Sequence, residues 1–129
     1  MAERSMPPAK PSRRARSVPA SDRRSPCPVS CTLDLLGDRW TLLVVRDLVL
    51  GRTRFKEFAT SPEGIPTNIL TERLERLLQH GIVEQVPAEE GGKRMAYRLT
   101  EKGLALRPIL KAIRDWGLEW APGTAVLRT

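Results

Sequence analysis

Between Arg54 and Leu99 the periodicity of the chain changes in an order that few folds accommodate. A short helical segment, about Arg54 to Thr60, points Phe55, Phe58 and Ala59 inward. Ser61-Pro62-Glu63-Gly64 interrupts it with two residues that punctuate helices, and Ile65 then packs inward. A longer helix begins near Pro66-Thr67 and ends at Gly81. Its Leu70, Leu74, Leu77 and Leu78 fall at i, i+4, i+7 and i+8, one buried stripe. Arg73 lies at the edge of that stripe, and Thr67, Asn68, Thr71, Glu72, Glu75, Arg76 and Gln79 occupy the other faces. Ile82 to Val86 and Met95 to Leu99 then alternate as strands do, around a tip at Ala88 to Arg94.

The flanks extend the pattern. Pro28 to Leu36 reads as a first helix with Pro28 at N1, where its missing N–H costs nothing; Leu33, Leu35 and Leu36 form its buried side, and Gly37 ends it. A second helix spans about Asp38 to Leu50, with Asp38 as N-cap and Trp40, Leu43, Val44 and Leu48 as its stripe. Gly51 follows where a helix end favours positive φ. Thr100 caps a last helical region reaching about Trp120, which Pro108 kinks or restarts. The whole predicts a mainly α fold with a small β-hairpin (α+β), a winged helix-turn-helix. Such a module lays one helix in the DNA major groove and reaches a hairpin to the flanking backbone.

Charge is unevenly placed. Of 129 residues, the first 26 carry seven basic groups against Glu3 and Asp22, so five of the seven net positive charges fall there. Residues 1–26 are rich in Pro, Ser, Ala and Arg and are expected to be a disordered basic arm that adds non-specific affinity for polyanions. Residues 27–120 form the expected domain and 121–129 a tail. Arg13-Arg14 is not followed by the apolar run of a secretory signal, and no stretch has the length of a transmembrane span. A cytoplasmic protein with no membrane partner and two resting thiols is the expectation.

The expected chemistry is recognition. At the start of the fourth helix Thr67, Asn68 and Thr71 are short polar side chains suited to base edges, beside backbone N–H groups suited to phosphate. Arg73 and Arg76 suit phosphate clamping or intramolecular pairing, with Glu72 at i−4 from Arg76. Gly91 and Gly92 allow close backbone approach at the hairpin tip, and Lys93 and Arg94 can reach a groove. Arg52, Arg54 and Lys56 complete the contacts, with Arg54 equally open to a structural role. On the last helix Ile109, Leu110, Ile113, Trp116 and Trp120 make a face that either covers the domain's own core or pairs two subunits. Val29 and Leu33 on the first helix join Ile113, Trp116 and Trp120 as the expected dimer interface.

Cys27 precedes Pro28 at a helix start, where N–H groups and the helix dipole favour a thiolate. Cys31, at i+4, is too far for a bridge within a regular helix; a bond between subunits or a small-thiol adduct is more feasible. Cys27 is either an ordinary helix residue or a sensor. His80 is the only histidine, and no cluster has tetrahedral metal-ligand spacing, so neither metal nor cofactor is expected. The sequence holds no phosphate loop and no nucleophile elbow, and an enzyme is not expected.

Cys27-Pro28-Val29, Leu36-Gly37-Asp38-Arg39-Trp40-Thr41, Arg54-Phe55-x-Glu57-Phe58, Gly64-Ile65, Leu70-Thr71-x-Arg73-Leu74, Gly81-Ile82-Val83, Tyr97-x-Leu99-Thr100-x-x-Gly103, Leu106-x-Pro108 and Trp116-Gly117 occur in that order. From about Cys27 to Trp120 the chain resembles the HxlR family of winged-helix transcriptional regulators. That resemblance implies a homodimer built from the first and last helices that represses or activates a neighbouring operon. It also implies effectors that differ among members, some of which sense oxidants or electrophiles at the position of Cys27. The function expected is a dimeric, sequence-specific DNA-binding repressor with a small-molecule or oxidant effector. The alternative is a winged-helix protein-interaction module, which the net charge of only +2 on the remaining 103 residues favours.

Overall fold

The computed structural model describes residues 23–127. Its order is α1 (Pro28–Leu36), α2 (Thr41–Val49), α3 (Phe55–Ala59), α4 (Thr67–Gln79), β1 (Val83–Pro87), β2 (Met95–Leu99), α5 (Glu101–Leu104) and α6 (Arg107–Trp120). The expected basic arm lies mostly outside the described residues. Its last residues touch α1: Arg24 Nε donates to Asp34 at 2.6 Å, and the Ser25 carbonyl accepts from Cys31 Sγ at 3.2 Å.

The breaks fall where glycine and proline place them. α2 and α4 end alike: Gly51 (φ 104°) and Gly81 (φ 71°) take the left-handed conformation. In each, the next two N–H groups fold back on the helix. Gly51 N reaches Leu48 O and Arg52 N reaches Asp47 O; Gly81 N reaches Leu78 O and Ile82 N reaches Leu77 O. Gly37 also closes α1, but with φ −83°, so no left-handed turn is used there.

Several boundaries and faces differ from expectation. α2 starts at Thr41, not Asp38, because the Asp38 carboxylate caps from outside: it accepts the Trp40 N–H at 3.3 Å and the Thr41 hydroxyl. β1 starts at Val83 because the Ile82 N–H is spent on the Leu77 carbonyl at the end of α4 rather than on the opposite strand. Phe55 and Leu33 are exposed where an inward position was expected. Phe55 is the first residue of a single five-residue turn, and Phe58 on its other side fills the core. Leu33, one turn before the buried Leu36 on the same side of α1, is left open in the single chain.

The core is built where α2, α3 and α4 meet the hairpin. Val44, Val45 and Leu48 pack with Phe58, Ile65, Leu70, Leu74, Leu77, Ile82 and Val83. The Phe58 ring meets Tyr97 edge-on, with centroids 6.1 Å apart. β1 and β2 pair antiparallel in the register Val83 with Leu99 through Pro87 with Met95. Thr100 caps α5 as expected, accepting the Gly103 N–H, while its hydroxyl donates to Gly81 O at 2.5 Å. Pro108 lies in the first turn of α6, so it restarts the helix rather than kinking it.

Candidate nucleic-acid interface

α4 opens on Pro66, whose side chain has no oxygen to cap the first N–H groups. Those donors and the positive end of a 13-residue helix are left for an outside acceptor. Thr67, Asn68 and Thr71 are exposed on this leading part. The Thr71 hydroxyl donates to Thr67 O at 2.9 Å, so toward a ligand its oxygen serves as an acceptor.

The turn ahead of α4 is braced by a charged cluster that sequence reasoning missed. Asp47 is only 2% exposed, and its carboxylate accepts from Arg46 Nε (3.1 Å), Arg52 Nη1 (3.1 Å) and the Ser61 hydroxyl. Arg46 also grips Glu63 through both terminal nitrogens, at 2.7 and 2.9 Å. The hydrogen bonds from Arg46 hold the Glu63 carboxyl below the ordinary range, against a smaller opposing effect of burial. The α3–α4 turn is therefore fastened to α2 at Ser61 and Glu63. A signal was present: Asp47 stands at i+7 from Trp40, within the apolar stripe of α2, with arginines at 46 and 52.

Two of the expected phosphate clamps are engaged inside the protein. Arg73 Nε donates to Asp38 at 2.6 Å and Arg73 also pairs with Glu72. Arg76 donates to the Leu35 carbonyl at 2.6 Å, so Glu72 meets Arg73 rather than the expected Arg76. Burial opposes ionisation of Asp38, but hydrogen bonds from Thr41, Arg73 and the Trp40 N–H outweigh it and bring its pKa to about 2. Both arginines tie the inner side of α4 to α1 and the turn after it.

Arg54 is the half-buried N-cap of α3, and Lys56 is exposed. The Glu57 carboxylate folds back on the Thr53 and Arg54 N–H groups at 2.8 and 2.9 Å, and these bonds lower its pKa. Tyr97 N donates to Thr53 O at 2.8 Å, which joins β2 of the wing to the segment leading into α3. At the tip Ala88 N meets Arg94 O at 2.9 Å and Gly92 N meets Glu89 O at 3.1 Å. Lys93 and Arg94 are exposed beyond that bond pair.

α6 buries none of its residues, and its apolar side is open: Ile113, Trp116 and Trp120 are exposed, Trp116 by 66%. Val29 and Leu33 of α1 are exposed as well. Cys27 is an exposed N-cap whose N–H meets Ser25 Oγ at 3.0 Å.

A short helix, a braced turn, a second helix with an open leading end and a hairpin behind it define a winged helix-turn-helix protein. The chain belongs to the HxlR-like helix-turn-helix family, whose model matches residues 35–125. It is 38% identical over 94 residues to the HTH-type transcriptional regulator Mb3122 of Mycobacterium bovis, covering 73% of this chain and 59% of that one. The chain thus spans somewhat over half the length of that mycobacterial relative. It is 36% identical over 102 residues to the HTH-type transcriptional regulator YodB of Bacillus subtilis, covering 78% of this chain and 91% of YodB. Among solved structures, PA1607 superposes with a TM-score of 0.73 at 46% identity, covering 85% of this chain and 78% of PA1607. Reduced YodB superposes with a TM-score of 0.63 at 33% identity, covering 78% of this chain and all of YodB; YodB structures also include diamide-treated and quinone-bound forms.

Proposed function

We propose that the chain is a sequence-specific, DNA-binding transcriptional repressor acting as a homodimer. The observation that carries this is the leading end of α4, uncapped and exposed at Thr67, Asn68 and Thr71, on a helix anchored from behind by Arg73 and Arg76. Thr67, Asn68 and Thr71 read base edges. Lys56, Lys93, Arg94 and the outer reach of Arg54 contact the backbone, and Arg73 and Arg76 set the pose of α4 while adding positive potential. Two copies paired through α1 and α6 place two such helices in successive major grooves. The relatives named as transcriptional regulators support the same reading.

Selection from a random duplex pool with the full chain tests it. The expected result is an enriched, two-fold related site whose half-sites lie about one helical turn apart. Recovery of no sequence, with only salt-sensitive retention of all duplexes, would instead favour a protein-interaction module carrying a basic arm.

The input we assign is oxidation or alkylation of Cys27. Its exposure at the N-cap of α1 supports this, as do the diamide-treated and quinone-bound forms of YodB. Mass spectrometry after mild quinone exposure, with Cys27→Ser as control, should place a single adduct on Cys27 and lower operator affinity. An unmodified thiol, or unchanged affinity after modification, removes the assignment.

A further inference from the structure

Two contacts place the entry to α2 beside the leading half of α4. Asp38 accepts from Arg73 Nε at 2.6 Å, and Arg73 also pairs with Glu72, which is exposed on α4 one turn after Asn68. Trp40 borders a small hollow with Ser61, Glu63 and Ile65, the turn that leads into α4. Arg39 stands between these two anchors. It therefore flanks the stretch of α4 on which Thr67, Asn68 and Thr71 are exposed.

Arg39 is itself exposed, and its guanidinium lies over the Trp40 ring, 5.0 Å from the centroid. Trp40 packs against the core, so the ring is a fixed support for the cation. The acidic groups nearby are already engaged: Asp38 by Arg73 and Thr41, Glu63 by Arg46, and Glu72 by Arg73. Among the described residues Arg39 has no carboxylate partner. Arg52, Arg73 and Arg76, by contrast, spend donors on Asp47, Asp38 and the Leu35 carbonyl. A guanidinium stacked on a ring keeps its N–H donors at its edge, where a phosphate can take two of them.

We propose that Arg39, held on Trp40, is a phosphate clamp for duplex DNA beside α4. Its acceptor is a backbone phosphodiester next to the bases that Thr67, Asn68 and Thr71 read. A contact of this kind fixes the angle at which α4 enters the groove and carries no base preference of its own. The clamp rests on the regulator reading, and it adds the α2 side of α4 to the contacts from α3 and the wing.

Fluorescence anisotropy over a salt series, with the full chain and the selected duplex, tests it. Arg39→Gln should weaken the selected duplex and a scrambled one alike, by about tenfold per bound chain. It should also reduce the slope of log K against log salt by about 0.9 per chain, and Arg39→Lys should restore that slope. Single phosphates of the duplex are then replaced in turn by neutral methylphosphonates. One position per half-site should weaken the parent and leave Arg39→Gln unchanged, whereas a merely loosened fold would stay sensitive at every position. Arg39→Gln equal in affinity and slope to a parent that binds, or a phosphate scan that weakens both proteins equally throughout, overturns the clamp alone. A parent with no affinity for any duplex overturns the regulator reading and the clamp together.

Discussion

Arg73 Nε lies 2.6 Å from the Asp38 carboxylate, so the helix that carries Thr67, Asn68 and Thr71 is tied to the turn between α1 and α2. The same carboxylate caps α2 through Trp40 and Thr41. One acidic group thus orients two helices. The Asp38 pKa falls from its ordinary 3.8 to about 2, a depression, so the stabilisation is complete above pH 3.8 and is lost as pH falls toward 2. The shift corresponds to about 2 kcal/mol. Asp38→Asn should remove that amount at neutral pH and flatten the acid limb between those pH values, as measured by urea unfolding at a series of pH values.

Asp47 presents the stronger case because it is buried among two arginines and Ser61. Asp47→Ala leaves the Arg46 and Arg52 guanidinium groups without their inner acceptor, and breaking one side of a buried pair costs about 3–5 kcal/mol. Arg46 keeps Glu63, so a value near the lower end is expected. Ser61→Ala should cost about 1 kcal/mol. Denaturant midpoints of the two variants give the comparison.

At the proposed interface the side chains divide by role. Asn68→Ala should narrow the affinity gap between the selected site and a scrambled duplex by about 1–3 kcal/mol, with little change in the salt slope. Arg94→Gln should weaken both duplexes alike and reduce the slope of log K against log salt by about one. Fluorescence anisotropy at four salt concentrations separates the two patterns. Equal behaviour of both variants and the parent would remove these roles.

How far the sequence discloses the structure varies with the physics of each feature. α1 from Pro28 to Leu36 and α4 from Thr67 were readable because Pro28, Pro66 and the glycines act through their own backbone. The fates of Arg73 and Arg76 were not, since a long side chain finds its partner by tertiary packing: Asp38 is 35 residues away and Leu35 is 41. Asp47 is a single polar residue in an apolar stripe, and its part in organising the turn before α4 depends on partners that only the folded chain brings to it. The shift of β1 by one residue came from Ile82, whose backbone serves the end of α4 and the cap of α5 at once. The leading end of α4 was anticipated in position. Its bracing was not.

That crowding at Ile82 makes Gly103 sensitive. A Cβ there would lie 2.2 Å from the Ile82 carbonyl oxygen and 2.8 Å from a Leu99 methyl. The oxygen is backbone and cannot swing aside, so Gly103→Ala should shift α5 and cost about 1–3 kcal/mol. At Gly117 on α6 a Cβ would meet nothing within 4 Å beyond its own helix, and Gly117→Ala should be neutral or slightly stabilising for a monomer. Thermal melts of the pair should separate, with only the Gly103 variant melting lower.

The apolar side of α6 sets the last expectation. Trp116 and Trp120 are one helical turn apart, with Ile113 on the turn before, and all three are open in a single chain. An open patch of that kind, with Val29 and Leu33 exposed on α1 as well, is costly in water unless a second copy covers it. Sedimentation should therefore give about twice the chain mass of 14.5 kDa at micromolar concentration. Trp116→Glu should bring it to the single-chain mass, because two carboxylates would then meet across a two-fold interface. The helix content should be retained, since Trp116 packs against nothing that the core needs. Operator affinity should fall by far more than its effect on one half-site, as linked binding is lost. A parent that sediments as one chain, or a Trp116→Glu variant that remains paired, would show that this face serves another purpose.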